Sequence, residues 1–162
     1  MKRGILYIAF GKHFLKEMLI SAESVKKHNP NLHITAFVDK QIDSKYIDEC
    51  VLIKASHLRP KIDYIANTPY EETLFLDTDT IIDYNIEDLF HLLSNFDFGA
   101  VHDLARKRKK YSVTMPEYRD IPYSFSEVNT GVMVFKKNEK VMGLFEAWKK
   151  NFYKYNSVCI FL

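Results

Sequence analysis

The sequence predicts an α/β fold: a mainly parallel, Rossmann-like sheet with helices on both faces, forming a single domain over residues 1–162. Three features point to it. An apolar run without alternation opens the chain. An amphipathic helix and a second β-rich run follow, completing a βαβ unit, and aspartates recur directly after successive apolar runs. Unbroken apolar runs suit parallel strands covered on both faces, and a βαβ unit crosses over right-handedly between such strands.

The first strand is Gly4-Ile-Leu-Tyr-Ile-Ala-Phe10. Phe14, Met18, Ala22 and Val25, flanked by Leu15 and Leu19, then repeat at helical spacing, and Asn29-Pro30 stops the helix near His28. His33 to Val38 is the second strand, ending at Asp39, and Val51-Leu-Ile53 a short third. Pro60 suits the first turn of a short helix through Ala66. Thr73-Leu-Phe-Leu76 is a buried strand that ends abruptly in Asp77-Thr78-Asp79-Thr80. Ile86, Leu89, Phe90 and Leu93 mark a short amphipathic helix, and Phe98 to His102 a strand ending at Asp103. After a polar stretch from Arg106 to Ser126, Val132-Met-Val-Phe135 is the last strand. Asn138 can cap a final helix with Val141, Phe145, Trp148, Phe152 and Tyr155 on one face, a core stripe rather than a sugar platform.

Composition narrows the function. With 23 Lys and Arg against 21 Asp and Glu, the net charge of +2 is too balanced for an obligate nucleic-acid binder. Cys50 and Cys159 lack disulfide-framework or metal-finger spacing and read as reduced thiols. The stretch from Ile5 to Phe10 is too short for a signal core and lacks a small-residue cleavage site, and no transmembrane segment is present, so a cytoplasmic chain is expected. The basic run from Arg106 to Lys110 has three readings: a solvated loop, attraction of an anionic ligand or surface, or a nucleic-acid patch. No basic face or aromatic interleaving accompanies the last of these.

Asp39, Asp77, Asp79 and Asp103 each follow the C-terminal end of a predicted strand, where open α/β sheets bind ligands. Asp39 and Asp103 equally fit ordinary turn residues. Asp77 and Asp79 are different, because two carboxylates one residue apart at a buried strand end are costly unless neutralised. As the chain turns out of the strand, both can converge on one cation, and hard oxygen ligands suit Mg²⁺ or Mn²⁺ carrying a substrate diphosphate. An EF-hand loop starting at Asp77 fails, because Ile81 and Ile82 stand where an oxygen ligand and a glycine are required. A dehalogenase-type phosphatase also places Asp-x-Asp after an apolar strand. Its motif normally opens the fold, and a further acidic pair follows; neither holds here, so that reading stands as a runner-up.

The segment from Thr73 through Asp77-Thr-Asp79 to Phe90 resembles the Asp-x-Asp segment of GT-A-fold glycosyltransferases, nearest to the glycogenin-like, retaining family eight. Asn129-Thr-Gly131-Val-Met-Val-Phe135 resembles their Asn-x-Gly-Val strand, and Leu6 to Phe10 with His33 to Asp39 is similar to their nucleotide-binding start. The resemblance implies a metal-dependent hexosyltransferase acting on a nucleotide-diphosphate sugar, with UDP the expected nucleotide and a glycan, protein or lipid acceptor. It implies metal ligation by Asp77 and Asp79, with Asp77 also near the ribose. Ala9, Phe10 and Gly11 would border the base, Asp39 the base or ribose, and Lys61 the diphosphate or sugar. Lys61 equally fits a solvated helix position. The resemblance makes the strand at Gly131 antiparallel to its neighbours, which returns Asn129, Thr130 and Gly131 to the same crevice; Asn129 equally fits a turn. Family members continue beyond the helix of Trp148 with an Asp-Gln pair and a late histidine ligand, whereas no histidine follows His102 here. A C-terminally truncated chain is therefore expected, lacking the acceptor-side portion. Either it turns over or it is a donor-binding module without transfer. The sequence identifies no catalytic nucleophile or base.

Overall fold

The computed structural model describes residues 2–54, 57–104 and 116–159, with Pro116 and the last four by backbone alone. The basic run from Arg106 to Lys110, the tail from Ile160 to Leu162 and the side chain of Cys159 lie outside the described residues. In chain order the elements are β1 (Arg3–Ala9), α1 (Lys12–His28), β2 (Ile34–Val38), β3 (Glu49–Leu52), α2 (Lys61–Tyr64), β4 (Glu72–Leu76), β5 (Phe98–His102), β6 (Val128–Lys136) and α3 (Glu139–Cys159). Among the described residues, three short 3-10 helices join them, at Ile65–Asn67, Glu87–Ser94 and Pro116–Asp120. The segment expected as an α-helix after Ile86 is one of these. Its Phe90 and Leu93 still face the core at i, i+3, a spacing that both helix types share.

The sheet runs β3-β2-β1-β4-β6-β5, and only β6 is antiparallel to its neighbours, β4 and β5. Alternation along β1 serves both faces. Ile5, Tyr7 and Ala9 pack with Leu15, Met18, Ala22 and Val25 of α1 and with Phe90 and Leu93. Leu6 and Ile8 pack on the other face with Ile65, Phe135, and Val141 and Phe145 of α3. Helices therefore cover both faces, as the unbroken apolar strands require.

The ends of the elements are set by specific side chains. Asn29 closes α1 by donating its N–H to Val25 O (2.7 Å), while its buried Oδ1 accepts the Ile86 N–H at 2.8 Å. That second bond ties the helix end to the chain leaving Asp79. Asn138 caps α3 as expected, its Oδ1 accepting the Val141 N–H at 3.1 Å. At the start of β2, Asp48 accepts from the Ile34 N–H (2.8 Å) and from Lys26 Nζ (2.6 Å) of the last turn of α1.

Burial pushes the Asp48 carboxyl up, but the Lys26 ammonium and the Ile34 N–H outweigh it and hold the group below the usual carboxylate range. A depressed folded value means that the stabilisation is fully present above about pH 4 and is lost as pH falls through the folded value. Asp48→Asn is therefore expected to be less stable than wild type at neutral pH, with the difference shrinking in acid. Urea unfolding at pH 7 and pH 3 checks this, and an equal difference at both would contradict it.

Candidate functional site

The strand order reverses between β1 and β4. The chain steps outward through β2 and β3 on one side of β1, then returns to place β4 on the other. Ligands of open α/β sheets lie outside the strand C-termini at such a point. Here that position holds a cleft of about 640 Å³, lined by Ile8, Phe10, Gly11, Phe14, Glu17, residues 57–61, Asp77, Thr78 and Asp79.

Three strand ends and one helical turn build it. After β1, Gly11 has φ 84°, a left-handed conformation that costs glycine little, and its N–H donates to Asp39 Oδ2 at 2.9 Å after β2. The ladder of β4 with β6 continues one step past Leu76, where the Asp77 N–H donates to Gly131 O at 2.7 Å. That step sets Gly131 against the carboxylate: a Cβ built on Gly131 would lie 3.0 Å from Asn129 Oδ1 and 3.4 Å from Asp77 Oδ2. The fourth contribution comes from α2. Lys61 Nζ donates to Asp77 Oδ1 (2.8 Å), Asp77 Oδ2 (2.9 Å) and Thr130 O (3.2 Å).

The turn after Asp77 is held from below. Tyr7, Ser21 and Thr80 form a chain of hydroxyls, with Tyr7 Oη 2.7 Å from Ser21 Oγ and Ser21 Oγ 3.0 Å from Thr80 Oγ1. Thr80 Oγ1 donates to Asp77 O at 2.8 Å. Because that bond uses the Thr80 proton, the donors run in one direction, from Tyr7 through Ser21 to Thr80. Burial raises the Tyr7 phenol well above its ordinary value, so it remains a donor at any ordinary pH. On the opposite wall, Thr78 Oγ1 donates to Glu17 Oε2 at 3.2 Å.

Asp77, Asp79, Lys61, Phe10 and Gly11 all line the cleft. Thr130 and Gly131 adjoin it through Lys61 and Asp77, and Asp39 adjoins it through Gly11. Ala9 turns its side chain into the core, 1% exposed, and reaches the cleft by backbone only. Asn129 uses Oδ1 locally, accepting the Gly131 N–H at 2.8 Å. Asp103 is further along the sheet, its N–H donating to Glu127 O. Phe14, Glu17, His57 and Arg59 are among the cleft residues that were not singled out as site residues from the sequence. Phe14 counts toward the apolar face of α1 by spacing, yet it is 49% exposed, because Leu15 beside it takes the buried position of that turn.

Among the described residues, no group of three or more His, Cys, Asp and Glu side chains could hold a metal ion. Two carboxylates at Asp77 and Asp79 are nevertheless the donor set that Mg²⁺-type ions use when substrate phosphates and waters complete the shell. Asp79 is exposed and has no described partner, whereas both oxygens of Asp77 meet the Lys61 ammonium. The residues present thus fit a cation that shares its ligands with a phosphorylated substrate, rather than one caged by protein.

No family model and no curated protein matches the chain. Solved structures do. Glycosyltransferase GlyE of Streptococcus pneumoniae TIGR4 matches with TM-score 0.57 at 18% identity, over 94% of this chain and 38% of that one. Galactosyltransferase LgtC in complex with donor and acceptor sugar analogues gives TM-score 0.62 at 16% identity, over 96% of this chain and 66% of LgtC. The bifunctional glycosyltransferase WbbM gives 0.61 at 14%, over 92% and 34%. The fold is therefore that of GT-A-type glycosyltransferases, and the chain spans about two fifths of the length of GlyE. No helix among the described residues is long and apolar enough to cross a membrane.

Proposed function

We propose that this chain binds a nucleotide-diphosphate sugar, with UDP as the nucleotide, through Mg²⁺ or Mn²⁺ at Asp77 and Asp79, as the donor side of hexosyl transfer to an acceptor. The observation that carries this reading is the convergence of Asp77, Asp79 and Lys61 in one cleft at the point where the strand order reverses. Lys61 supplies the positive charge for a diphosphate. Phe10 and Phe14 supply apolar surface for a base on the β1 side, and the Gly11–Asp39 contact fixes the loop between them. A divalent ion bound at the two aspartates would neutralise charge on the departing diphosphate. The GT-A fold supports this reading over the phosphatase alternative, because every solved structure described above is a glycosyltransferase.

Donor binding and transfer are separable here, since the chain spans 38% of GlyE and 34% of WbbM. Calorimetric titration with UDP, with and without Mn²⁺, tests the first. Binding that requires the metal is expected, and no binding in either condition sinks the reading. Release of hexose from UDP-hexose tests the second and distinguishes a transferase from a donor-binding module.

A further inference from the structure

Helix α2 is a single turn, Lys61–Tyr64, with no side-chain cap at either end, and it runs on only into the 3-10 turn Ile65–Asn67. One turn fixes several backbone dihedrals for very few hydrogen bonds and does not persist alone in water. Its place in the core is set by Ile62 and Ile65, both buried, and its rotation, and with it the aim of Lys61, by polar tethers on either side. On the cleft side the tether is Lys61 itself, bonded to Asp77 and Thr130. Two residues on, Asp63 points the other way, toward α3.

Asp63 is only 15% exposed and gathers three donors. His57 Nε2 lies 2.7 Å from Oδ2, and Tyr153 Oη is 2.9 Å from Oδ1 and 3.0 Å from Oδ2. Lys149 Nζ is 3.2 Å from Oδ1. The Arg59 N–H donates to His57 Nδ1 at 3.0 Å, which leaves the ring proton on Nε2, directed at Asp63. Phe152 stacks against the same imidazole with ring centroids 4.9 Å apart. Burial pushes the Asp63 carboxyl up, but the donors from Tyr153, Lys149 and His57 outweigh it, so it stays ionised at neutral pH.

We propose that Asp63, anchored by His57, Tyr153 and Lys149, is a positioning residue that holds α2 against α3 and so aims the Lys61 ammonium at the diphosphate site. This rests on the proposed donor site and adds to it a control point on the far side of α2. The physical reason is leverage. Lys61 and Asp63 lie on opposite sides of one short helical turn, so releasing Asp63 lets the turn tilt about the buried Ile62 and Ile65 and takes Lys61 away from Asp77.

The test uses the full chain with Asp63→Asn, Tyr153→Phe, Lys61→Ala and Asp63→Asn/Lys61→Ala. ¹H–¹⁵N spectra of lysine ammonium groups, with the Lys61 signal assigned by its loss in Lys61→Ala, report on its setting without ligand. Asp63→Asn and Tyr153→Phe should both move that signal. Metal-dependent UDP affinity should fall about tenfold in Asp63→Asn, the scale seen when outer partners of a site are removed. The same change made in the Lys61→Ala background should cost nothing further. An unmoved Lys61 signal, or an equal loss of affinity in both backgrounds, overturns the proposal. If wild type binds no UDP, the donor reading fails while the ammonium spectra still decide the role of Asp63. Should Asp63→Asn not fold, Tyr153→Phe carries both readouts, since it removes one hydroxyl from a 46% exposed side chain.

Discussion

Changing Asp77 and Asp79 together to alanine is expected to abolish metal-dependent UDP binding, a loss of at least about 100-fold, while the chain stays folded. The single variants should separate in a way that the geometry dictates. Asp79 is exposed and has no described partner, so Asp79→Ala should lose metal-dependent binding with stability within about 0.5 kcal/mol of wild type. Asp77 is also the counter-ion of Lys61, whose side chain is 16% exposed. Removing that carboxylate leaves a largely buried ammonium with the Thr130 carbonyl and the Phe75 ring face among the described residues, at a cost of about 1–3 kcal/mol. Asp77→Ala should therefore lose both binding and stability, and Asp79→Ala binding alone. Urea unfolding beside calorimetry reads both quantities. Should Asp79→Ala bind UDP and Mn²⁺ like wild type, the cation does not use Asp79, and the Asp77–Lys61 contact is an ordinary structural ion pair.

The parts of this protein that were legible in its sequence are those governed by local patterns. Unbroken apolar runs mark β1, β2 and β4 because both faces of those strands are covered, and Asn29-Pro30 and Asn138 mark helix ends through bonds that the structure contains. The antiparallel course of β6 came from a family resemblance, since nothing in Val132 to Phe135 distinguishes a parallel from an antiparallel strand. Asp77 and Asp79 were visible as an Asp-x-Asp at a strand end, and their neighbourhood was less so. His57 carries no local signal in the sequence, because its partners Asp63 and Tyr153 stand 6 and 96 residues away and only the docking of α3 brings the three together. Glu17 meets Thr78 across 61 residues, and no spacing rule connects them. Phe14 misled for the opposite reason: its helical spacing is correct, but Leu15 takes the buried position of that turn and leaves Phe14 at the cleft.

Gly4→Ala is expected to destabilise the fold by about 3 kcal/mol or more, the upper end of the cost of forcing extra volume into a packed core. A Cβ at Gly4 would lie 2.2 Å from Tyr70 Cε1, 2.3 Å from Tyr70 Cζ and 2.8 Å from His33 O. Neither neighbour can yield cheaply. The His33 carbonyl accepts the Ile5 N–H at 2.8 Å, within the pairing of β1 and β2. Tyr70 is fully buried, and its hydroxyl is 2.7 Å from both His33 Nδ1 and Thr35 Oγ1, so moving the ring breaks both bonds. For a chain of this size, each 1 kcal/mol lowers Tm by roughly 2–4 °C, so a fall of roughly 6–12 °C is expected. Gly143→Ala provides the internal contrast. Nothing lies within 4 Å of its Cβ position in α3, and alanine there should stabilise by about 0.8–1 kcal/mol through helix propensity alone. Changing Tyr70 to leucine in the Gly4→Ala chain removes the clashing ring atoms and should recover part of the loss. A Gly4→Ala chain that melts with wild type would mean that the Tyr70 ring does not lie over Gly4. Because Gly4 is near the start of β1 and the cleft lies beyond its far end, metal-dependent UDP affinity should survive in the folded fraction. Stability and donor binding are thus governed from opposite ends of the same strand.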